Sequence, residues 1–237
     1  YETNISDFQL VSYILGRCAT VDEVKAEIAR VHIHGFDPRS STVHWRFAEP
    51  SGRQIVLEVI DGKCIFYENN LGVLTNSPSF DWQLTNLNNY VNLLPGRTEP
   101  HTIGNMSLSS FGGGSAMIGL PGDFTPPSRF VRAAFFQNTA PQKPDAEGSV
   151  FTAFHILGSM EIPIGAQFPV DETPADIPSA TQCTCVTDMS GLRFYYRSMY
   201  DGGIRCIDLK EINFKKIGLK SEPLVPSKKE FVHHIRF

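Results

Sequence analysis

The stretch "GVLTNSPSFDWQLTNLNNY", residues 72 to 90, decides the fold, because it places a turn signal between two segments of different periodicity. "LGVLTN" (71–76) is typical of a short strand, and the step Ser77-Pro78 interrupts it, since proline restricts the residue before it to extended conformations. In the following "FDWQLTNLNNYVNLL" (80–94), apolar residues recur at helical spacing, which predicts a helix; they are Leu84, Leu87, Val91 and Leu94. The stretch therefore joins a strand to a helix and presents Asn76 at the junction.

Upstream of this junction the sequence predicts one helix and an antiparallel sheet. Thr20 and Glu23 stand at capping-box spacing, which predicts a helix from Val21 to Ala29. Three runs rich in β-branched and aromatic residues follow, separated by short turns, and they predict a meander. The runs are "STVHWRFA" (41–48), "QIVLEVI" (54–60) and "CIFYE" (64–68).

Downstream, a long Gly- and Pro-rich segment precedes "TPPSRFVRAAFFQNT" (125–139), where Thr125 caps a predicted helix and the prolines occupy its first turn. "GSVFTAFHILGSM" (148–160) predicts a further helix. Three strand-like runs end the pattern, at 179–189, 192–200 and 204–209. Two groups of antiparallel strands with intervening helices predict the α+β class, and the lack of repeats or linkers favours a single domain over residues 1–237.

Composition excludes several classes of partner. The formal net charge is −4 and there is no run of basic residues, so nucleic acid is not expected as a partner. Apolar runs are too short to span a bilayer, so no membrane association is expected. The five cysteines lack a Cys-x-x-Cys pair, which argues against both a disulfide framework and a zinc ribbon. They are expected to be mostly buried thiols, with Cys183 and Cys185 paired on one strand face in the core.

Common catalytic motifs are also absent. The triple glycine at 112–114 lacks the Gly-Lys-Ser/Thr of a phosphate loop, and the chain has neither Gly-x-Ser-x-Gly nor His-Glu-x-x-His. His44 and His155 lie among apolar neighbours and are expected to be hydrogen-bonded core residues. No metal site and no cofactor are expected.

Two residues remain as candidates for chemistry. Asn76 would present a neutral amide donor at a fixed position, as an oxyanion hole requires, although ordinary turn chemistry also explains an asparagine here. Arg129 lies in the first turn of its helix, where a cation is unfavourable against the helix dipole, which suggests another reason for its presence. A surface salt bridge would explain Arg129 equally well.

Residues 72–90 together with "GLPGDFTPPSRFVRAAF" (119–135) resemble the choloylglycine hydrolase family, which groups bile salt hydrolases with penicillin V acylases. Further segments fit in the same order, among them "ILGRCATVDEV", "TVHWRFAEPSGRQIVLE", "FHILGSM" and "TQCTC". The resemblance implies an N-terminal-nucleophile (Ntn) hydrolase with an αββα four-layer sandwich, in which two antiparallel sheets lie between helices. It also implies a bacterial source, a cytoplasmic or exported enzyme, and a homotetramer.

The implied activity is hydrolysis of the amide bond in glycine- or taurine-conjugated bile salts. Penicillin V or another acyl amide is the alternative substrate, and a non-catalytic module that binds a steroid or acyl ligand is a third reading. By position, Asn76 matches the family asparagine that helps to form the oxyanion hole, and Arg129 matches the arginine that lines the catalytic centre. Val43 and Phe36 match a segment bordering the acyl pocket, and Phe36 could supply apolar surface to substrate.

One departure concerns the nucleophile. In the family it is a cysteine at the start of the mature chain, whose own α-amine acts as the base. The resemblance implies that this cysteine belongs to an N-terminal segment that these 237 residues do not contain, because Tyr1 is not a nucleophile and none of the five cysteines matches its position.

Overall fold

A computed structural model describes residues 3–35, 43–166, 180–225, 228–229, 231–232 and 234–235. The chain divides into two compact units, residues 1–139 and 140–237. The single domain over 1–237 stays a prediction. No helix among the described residues is both long enough and apolar enough to cross a bilayer. Within the same ranges, no three His, Cys, Asp or Glu side chains are grouped to hold a metal ion.

In the described part of the first unit, residues 3–35 and 43–139, there are two short two-stranded sheets, one three-stranded sheet and four α-helices. Its elements in chain order are β1 Thr3–Ser6, α1 Asp7–Leu15, α2 Val21–Ile28, β2 Val31–His34, β3 Trp45–Ala48, β4 Gln54–Ile60, β5 Lys63–Glu68, α3 Phe80–Asn86, β6 His101–Ile103, β7 Met106–Leu108 and α4 Pro126–Thr139. β1 and β2 pair in parallel, β3-β4-β5 form an antiparallel meander, and β6 pairs with β7.

The predicted capping box of α2 is present, because the Thr20 side chain accepts from the Glu23 amide and the Glu23 carboxylate accepts from the Thr20 amide. The meander is confirmed as well. Sequence reasoning identified neither β1 nor β2, each of which is only four residues long.

Strand β4 lies at the centre of this unit because its side chains alternate between two apolar clusters. Ile55 and Leu57 belong to the first cluster, which the residues of α1, α2 and β2 complete. Val56 points to the opposite face and packs in the second cluster, with Phe80 of α3 and Phe130 of α4. The second cluster thus fixes the two segments that carry the candidate residues.

The strand predicted at 71–76 is wrong, since the structure has an irregular segment there. Gly72 has φ of +75°, in the left-handed region, which ends the extended chain. The buried Asn69 side chain accepts from the Gly72 amide at 2.8 Å and donates to the Val73 carbonyl at 3.1 Å, so these backbone groups need no partner strand.

The helix predicted from the leucine spacing is present but shorter than expected. α3 ends at Asn86 and is followed by a 3₁₀ turn, Leu87–Tyr90. The buried residues of α3 are Phe80 and Gln83, and Leu87 packs against the same second cluster. Val91 and Leu94 lie beyond the 3₁₀ turn and are 85% and 60% exposed, so the predicted apolar face is buried only in its first part.

The second unit contains α5 Ala146–Gly158 and an antiparallel sheet of β8 Cys183–Asp188, β9 Arg193–Ser198 and β10 Asp201–Asp208. α5 packs on this sheet through Val150 and Phe154, which cluster with Tyr195. The predicted helix and the three predicted strands are confirmed.

The cysteines and two histidines differ from expectation. None of the five cysteines is buried, and three are exposed. Cys183 and Cys185 do share a strand face, with their Sγ atoms 3.4 Å apart, but the buried side chain of β8 is Thr184, which donates to Glu161. His155 is exposed because its neighbour Phe154 takes the inward position on α5. His44 is partly buried beside Glu58, but its Nδ1 makes no hydrogen bond among the described residues, so the predicted hydrogen-bonded core histidine is not found.

Candidate active site

The backbone around Asn76 is held from two sides. The Thr75 hydroxyl donates to the carbonyl of Pro126, the first residue of α4, at 3.1 Å. Gln83, buried one turn into α3, donates from Nε2 to the Asn76 carbonyl at 3.3 Å. The Asn76 side chain itself is exposed. This segment therefore presents an asparagine amide to solvent from a backbone tied to both helices of the site.

The loop before α4 is organised by polar contacts with the helix it precedes. The Asp123 carboxylate accepts from the Thr125 amide and hydroxyl at 2.9 and 2.6 Å and from the Ser128 hydroxyl at 2.6 Å. These hydrogen bonds, the one from Ser128 above all, lower the pKa of Asp123 to about 2. The ionised Asp123 therefore ties the loop to the first turn of α4 through the Ser128 hydroxyl.

Arg132 holds the same loop from inside the helix. Its Nη1 donates to the carbonyls of Pro121 and Asp123 at 2.8 and 2.5 Å, and its guanidinium stands 5.7 Å from the ring centre of Phe124. The residue is only 6% exposed. A buried guanidinium bonded to backbone carbonyls fixes the loop and leaves Arg129 free to reach across it.

Arg129 joins the loop to Asn76. Its Nε donates to the Phe124 carbonyl at 3.0 Å and its Nη2 donates to Asn76 Oδ1 at 2.7 Å, across 53 residues of sequence. The structure thus brings together the two residues that the sequence singled out separately. Burial lowers the pKa of Arg129 and the nearby Arg132 lowers it further, but an arginine remains cationic at physiological pH.

The contact determines which end of the asparagine amide remains available. A guanidinium has only donors, so the amide atom that faces it must be the oxygen. Nδ2 then points away from Arg129, and no hydrogen bond within the described ranges occupies it. The pair offers one oriented neutral N–H donor with a cation directly behind it, an arrangement that can stabilise a developing oxyanion.

Of the two predicted substrate-binding residues, only Val43 can be placed, and it lies apart from this pair. Phe36 lies outside the described residues. Val43 is 38% exposed and borders a cavity of about 320 Å³ together with Ile33, Trp45 and Val59. Those three belong to the first apolar cluster or pack against it, whereas the residues around Asn76 belong to the second. The roles of Phe36 and Val43 stay predictions.

Sequence reasoning missed three supporting residues. Gln83 was overlooked because the helical pattern considered only apolar side chains, although Gln83 lies one turn before Leu87 on the same helix side. Arg132 stands three residues after Arg129, a spacing that puts both on one helix side and could have suggested a joint role. Asp123 precedes Thr125 and Ser128 by two and five residues, which is a recognisable capping pattern.

The family model described as linear amide C-N hydrolases, choloylglycine hydrolase family, matches residues 1–222. This chain belongs to the choloylglycine hydrolase family. A bile salt hydrolase/transferase of Clostridium perfringens (strain 13 / Type A) is 35% identical over 217 residues, which are 90% of this chain and 64% of that protein. A penicillin V acylase of Pectobacterium atrosepticum is 31% identical over 228 residues, 87% of this chain and 53% of that protein.

The family fold is confirmed by a solved structure. The crystal structure of a mutant conjugated bile acid hydrolase from Clostridium perfringens superposes with a TM-score of 0.84 at 31% identity, over 99% of this chain and 71% of that one. The expected class, an α+β Ntn-hydrolase fold, is therefore correct, while the four-layer order stays a prediction. The chain spans less than two thirds of the length of the curated C. perfringens relative.

Proposed function

We propose that this chain forms the oxyanion-binding part of a cysteine amidohydrolase that cleaves the amide bond of glycine- or taurine-conjugated bile salts. The observation that carries the proposal is the 2.7 Å hydrogen bond from Arg129 Nη2 to Asn76 Oδ1, which leaves Nδ2 as a directed donor. The resemblance supplies the rest of the machinery, including a nucleophilic cysteine whose position none of the five cysteines of this chain matches.

The proposed step begins when a cysteine thiolate attacks the amide carbonyl carbon and the carbonyl oxygen becomes an oxyanion. The Asn76 Nδ2–H donates to that oxyanion more strongly than to the ground-state carbonyl, because the oxygen has gained charge. The amine then leaves with a proton, and water releases the acyl group from the thioester. One such donor is worth about 2.7–4 kcal/mol of transition-state stabilisation.

Arg129 contributes by holding the asparagine amide rather than by donating to substrate through the same nitrogen. Its hydrogen bond to Oδ1 polarises the amide and fixes Nδ2 before substrate arrives, so no reorganisation is needed during the reaction. Because Nε is bound to the Phe124 carbonyl, the guanidinium plane itself is fixed.

The relatives support this substrate class and leave a second one open. The C. perfringens relative is named a bile salt hydrolase/transferase, and the P. atrosepticum relative is named a penicillin V acylase. Both substrates contain a secondary amide between an acyl group and an amine, so the same oxyanion geometry serves either. A homotetramer is part of the proposal on the basis of the family resemblance alone.

The test uses the full-length protein with two matched asparagine variants. Asn76→Ala removes the directed donor and should lower kcat for glycocholate about 100-fold or more. Asn88→Ala is the control, because Asn88 is also an exposed asparagine in the α3 region but donates only to the local Thr85 carbonyl at 2.9 Å. Equal kcat values for the two variants would remove Asn76 from the mechanism.

A comparison of substrates decides between the two activities. Release of glycine or taurine from conjugated bile salts, measured beside release of the nucleus of penicillin V, should show the higher kcat/KM for the bile salts. A higher value for penicillin V would favour the acylase. Binding of bile acid with no cleavage of any of these amides would instead support a non-catalytic module.

A further inference from the structure

A buried ionisable side chain projects from β4 on the sheet face that packs against α3 and α4. Glu58 of β4 is 2% exposed and follows Val56 on the face of the second apolar cluster. A buried carboxyl costs several kcal/mol unless its oxygens are well partnered. The proposed chemistry does not use Glu58 directly, so its position requires another explanation.

One carboxylate oxygen of Glu58 has two neighbours. Oε1 accepts from the backbone amide of Phe80 at 2.7 Å. Nδ1 of the partly buried His44 lies 2.8 Å from the same atom but forms no hydrogen bond among the described residues. Oε2 is buried and makes no hydrogen bond among the described residues. Glu58 therefore binds the start of α3 through Oε1.

This contact replaces the usual helix cap. Ser79 is the N-cap residue of α3, but its hydroxyl makes no capping hydrogen bond and donates instead to the Asp81 carboxylate at 2.5 Å. An acceptor from a different element, Glu58 of β4, satisfies the first amide of the helix. The position of α3 on the sheet is thus set by β4.

The helix in turn fixes Asn76. Phe80 follows Asn76 by four residues, and Gln83 of the same helix donates to the Asn76 carbonyl. The short segment between Asn76 and α3 is consequently anchored at both ends, through Glu58 at Phe80 and through Gln83 at Asn76. Arg129 orients only the side-chain amide, so the backbone position of Asn76 depends on these contacts together with the Thr75 hydrogen bond to Pro126.

We propose that Glu58 is a positioning residue that sets the location of Asn76 in the active site by anchoring the start of α3 to β4. The inference rests on the proposed function for its catalytic consequence. It concerns geometry, since Glu58 acts through Phe80 and Asn76 and does not touch the substrate.

The pKa shifts of Glu58 and His44 agree with a structural role for Glu58. Burial raises the pKa of Glu58, which the nearby Asp81 raises further, and burial lowers the pKa of His44. Burial also raises the pKa of Tyr67 on the adjacent strand, and Asp81 and Glu58 add to that rise. The shifts of Glu58 and His44 both favour the uncharged forms of the two side chains, which reduces the cost of burying them.

The kinetic test compares variants of Glu58 in the full-length protein. Glu58→Leu removes the acceptor, Glu58→Asp withdraws it by one methylene, and Glu58→Gln keeps a carbonyl oxygen that can accept from Phe80. We expect Glu58→Leu to lower kcat on the order of 10-fold to 100-fold with KM changed less than about threefold, since small misplacements of a catalytic group have such effects. Glu58→Asp should be intermediate, and Glu58→Gln should recover most of the activity.

Ile55→Val is the matched control for stability. Ile55 lies on the same strand and is fully buried, but it packs in the first cluster, away from α3. The Ile55→Val substitution should lower the free energy of unfolding by about 0.5–1.5 kcal/mol and leave kcat within about twofold of the wild-type value. A kcat loss in Glu58→Leu or Glu58→Asp no larger than that of Ile55→Val would overturn the proposal, as would equal losses in Glu58→Gln and Glu58→Leu.

Hydrogen exchange gives a readout that does not depend on activity. The amides at the start of α3 should be protected in the wild-type protein and in Glu58→Gln, and should exchange at least about tenfold faster in Glu58→Asp. Unchanged exchange in Glu58→Asp would overturn the anchor. If the wild-type protein cleaves no amide, the proposed function fails separately, while the exchange result still decides whether Glu58 holds α3.

Discussion

Replacing Arg129 by lysine tests whether the arginine orients Asn76 or only contributes a positive charge. Arg129 uses two nitrogens in two directions, with Nε on the Phe124 carbonyl at 3.0 Å and Nη2 on Asn76 Oδ1 at 2.7 Å. A lysine retains the charge but has one ammonium group, which cannot reproduce the fixed fork of a guanidinium. The variant should therefore lose the contact with the Phe124 carbonyl or the contact with Asn76.

The magnitude follows from these contacts. A hydrogen bond to a charged group contributes about 1.5–3 kcal/mol. An asparagine amide that is no longer clamped through Oδ1 can present either end to the oxyanion, so part of the roughly 2.7–4 kcal/mol available from an oriented donor is lost as well. Since each 1.36 kcal/mol changes a rate tenfold, we expect kcat to fall about 10-fold to 100-fold, with KM changed less than about threefold.

The assay is steady-state release of glycine from glycocholate by the full-length protein, with thermal unfolding measured in parallel. Arg97→Lys, at an exposed position, serves as the control for an arginine-to-lysine change in the same unit. A kcat for Arg129→Lys within about threefold of wild type would show that charge alone suffices and would refute the orienting role.

Two further predictions concern stability. Phe130 is fully buried and packs edge-on against Phe80 with ring centres 6.1 Å apart, so Phe130→Ala should lower the free energy of unfolding by about 3–5 kcal/mol in urea denaturation. A loss below about 1 kcal/mol would contradict this packing. Asp123 has its pKa lowered from 3.8 to about 2, so its contribution to stability is complete above about pH 4 and is lost as the pH falls toward 2. The destabilisation caused by Asp123→Asn should therefore be present at about pH 6 and shrink between about pH 4 and 2; a deficit that does not change over this range would contradict it.

Local sequence signals predicted the regular elements well where backbone and side-chain preferences agree. The capping box of Thr20 and Glu23 predicted the start of α2. Runs rich in β-branched and aromatic residues predicted the meander of β3, β4 and β5. The same local approach failed at 71–94 for two reasons. Asn69 satisfies the loop backbone through side-chain hydrogen bonds three and four residues along the chain, which a strand pattern does not reveal. Phe80 packs on Phe130 and Val56, and these contacts from distant residues are not visible in a window of neighbours.

For the same reason, the sequence predicted only part of the candidate site. Asn76 and Arg129 each stood out locally, by a turn before proline and by a cation at a helix start, yet their hydrogen bond across 53 residues required the fold. Glu58 gave no signal, since a glutamate among valines and isoleucines on a strand is commonly solvent-facing. Its burial follows from the second apolar cluster, which forms only when α3 and α4 pack on β4.

The most direct measurement is a crystal structure of the full-length protein, with its nucleophile inactivated, bound to a conjugated bile salt. The account predicts that Asn76 Nδ2 lies about 2.7–3.1 Å from the position of the carbonyl oxygen of the scissile amide, with Oδ1 still bound to Arg129. An amide carbonyl bound to other donors, with Asn76 Nδ2 facing away from it, would contradict the account.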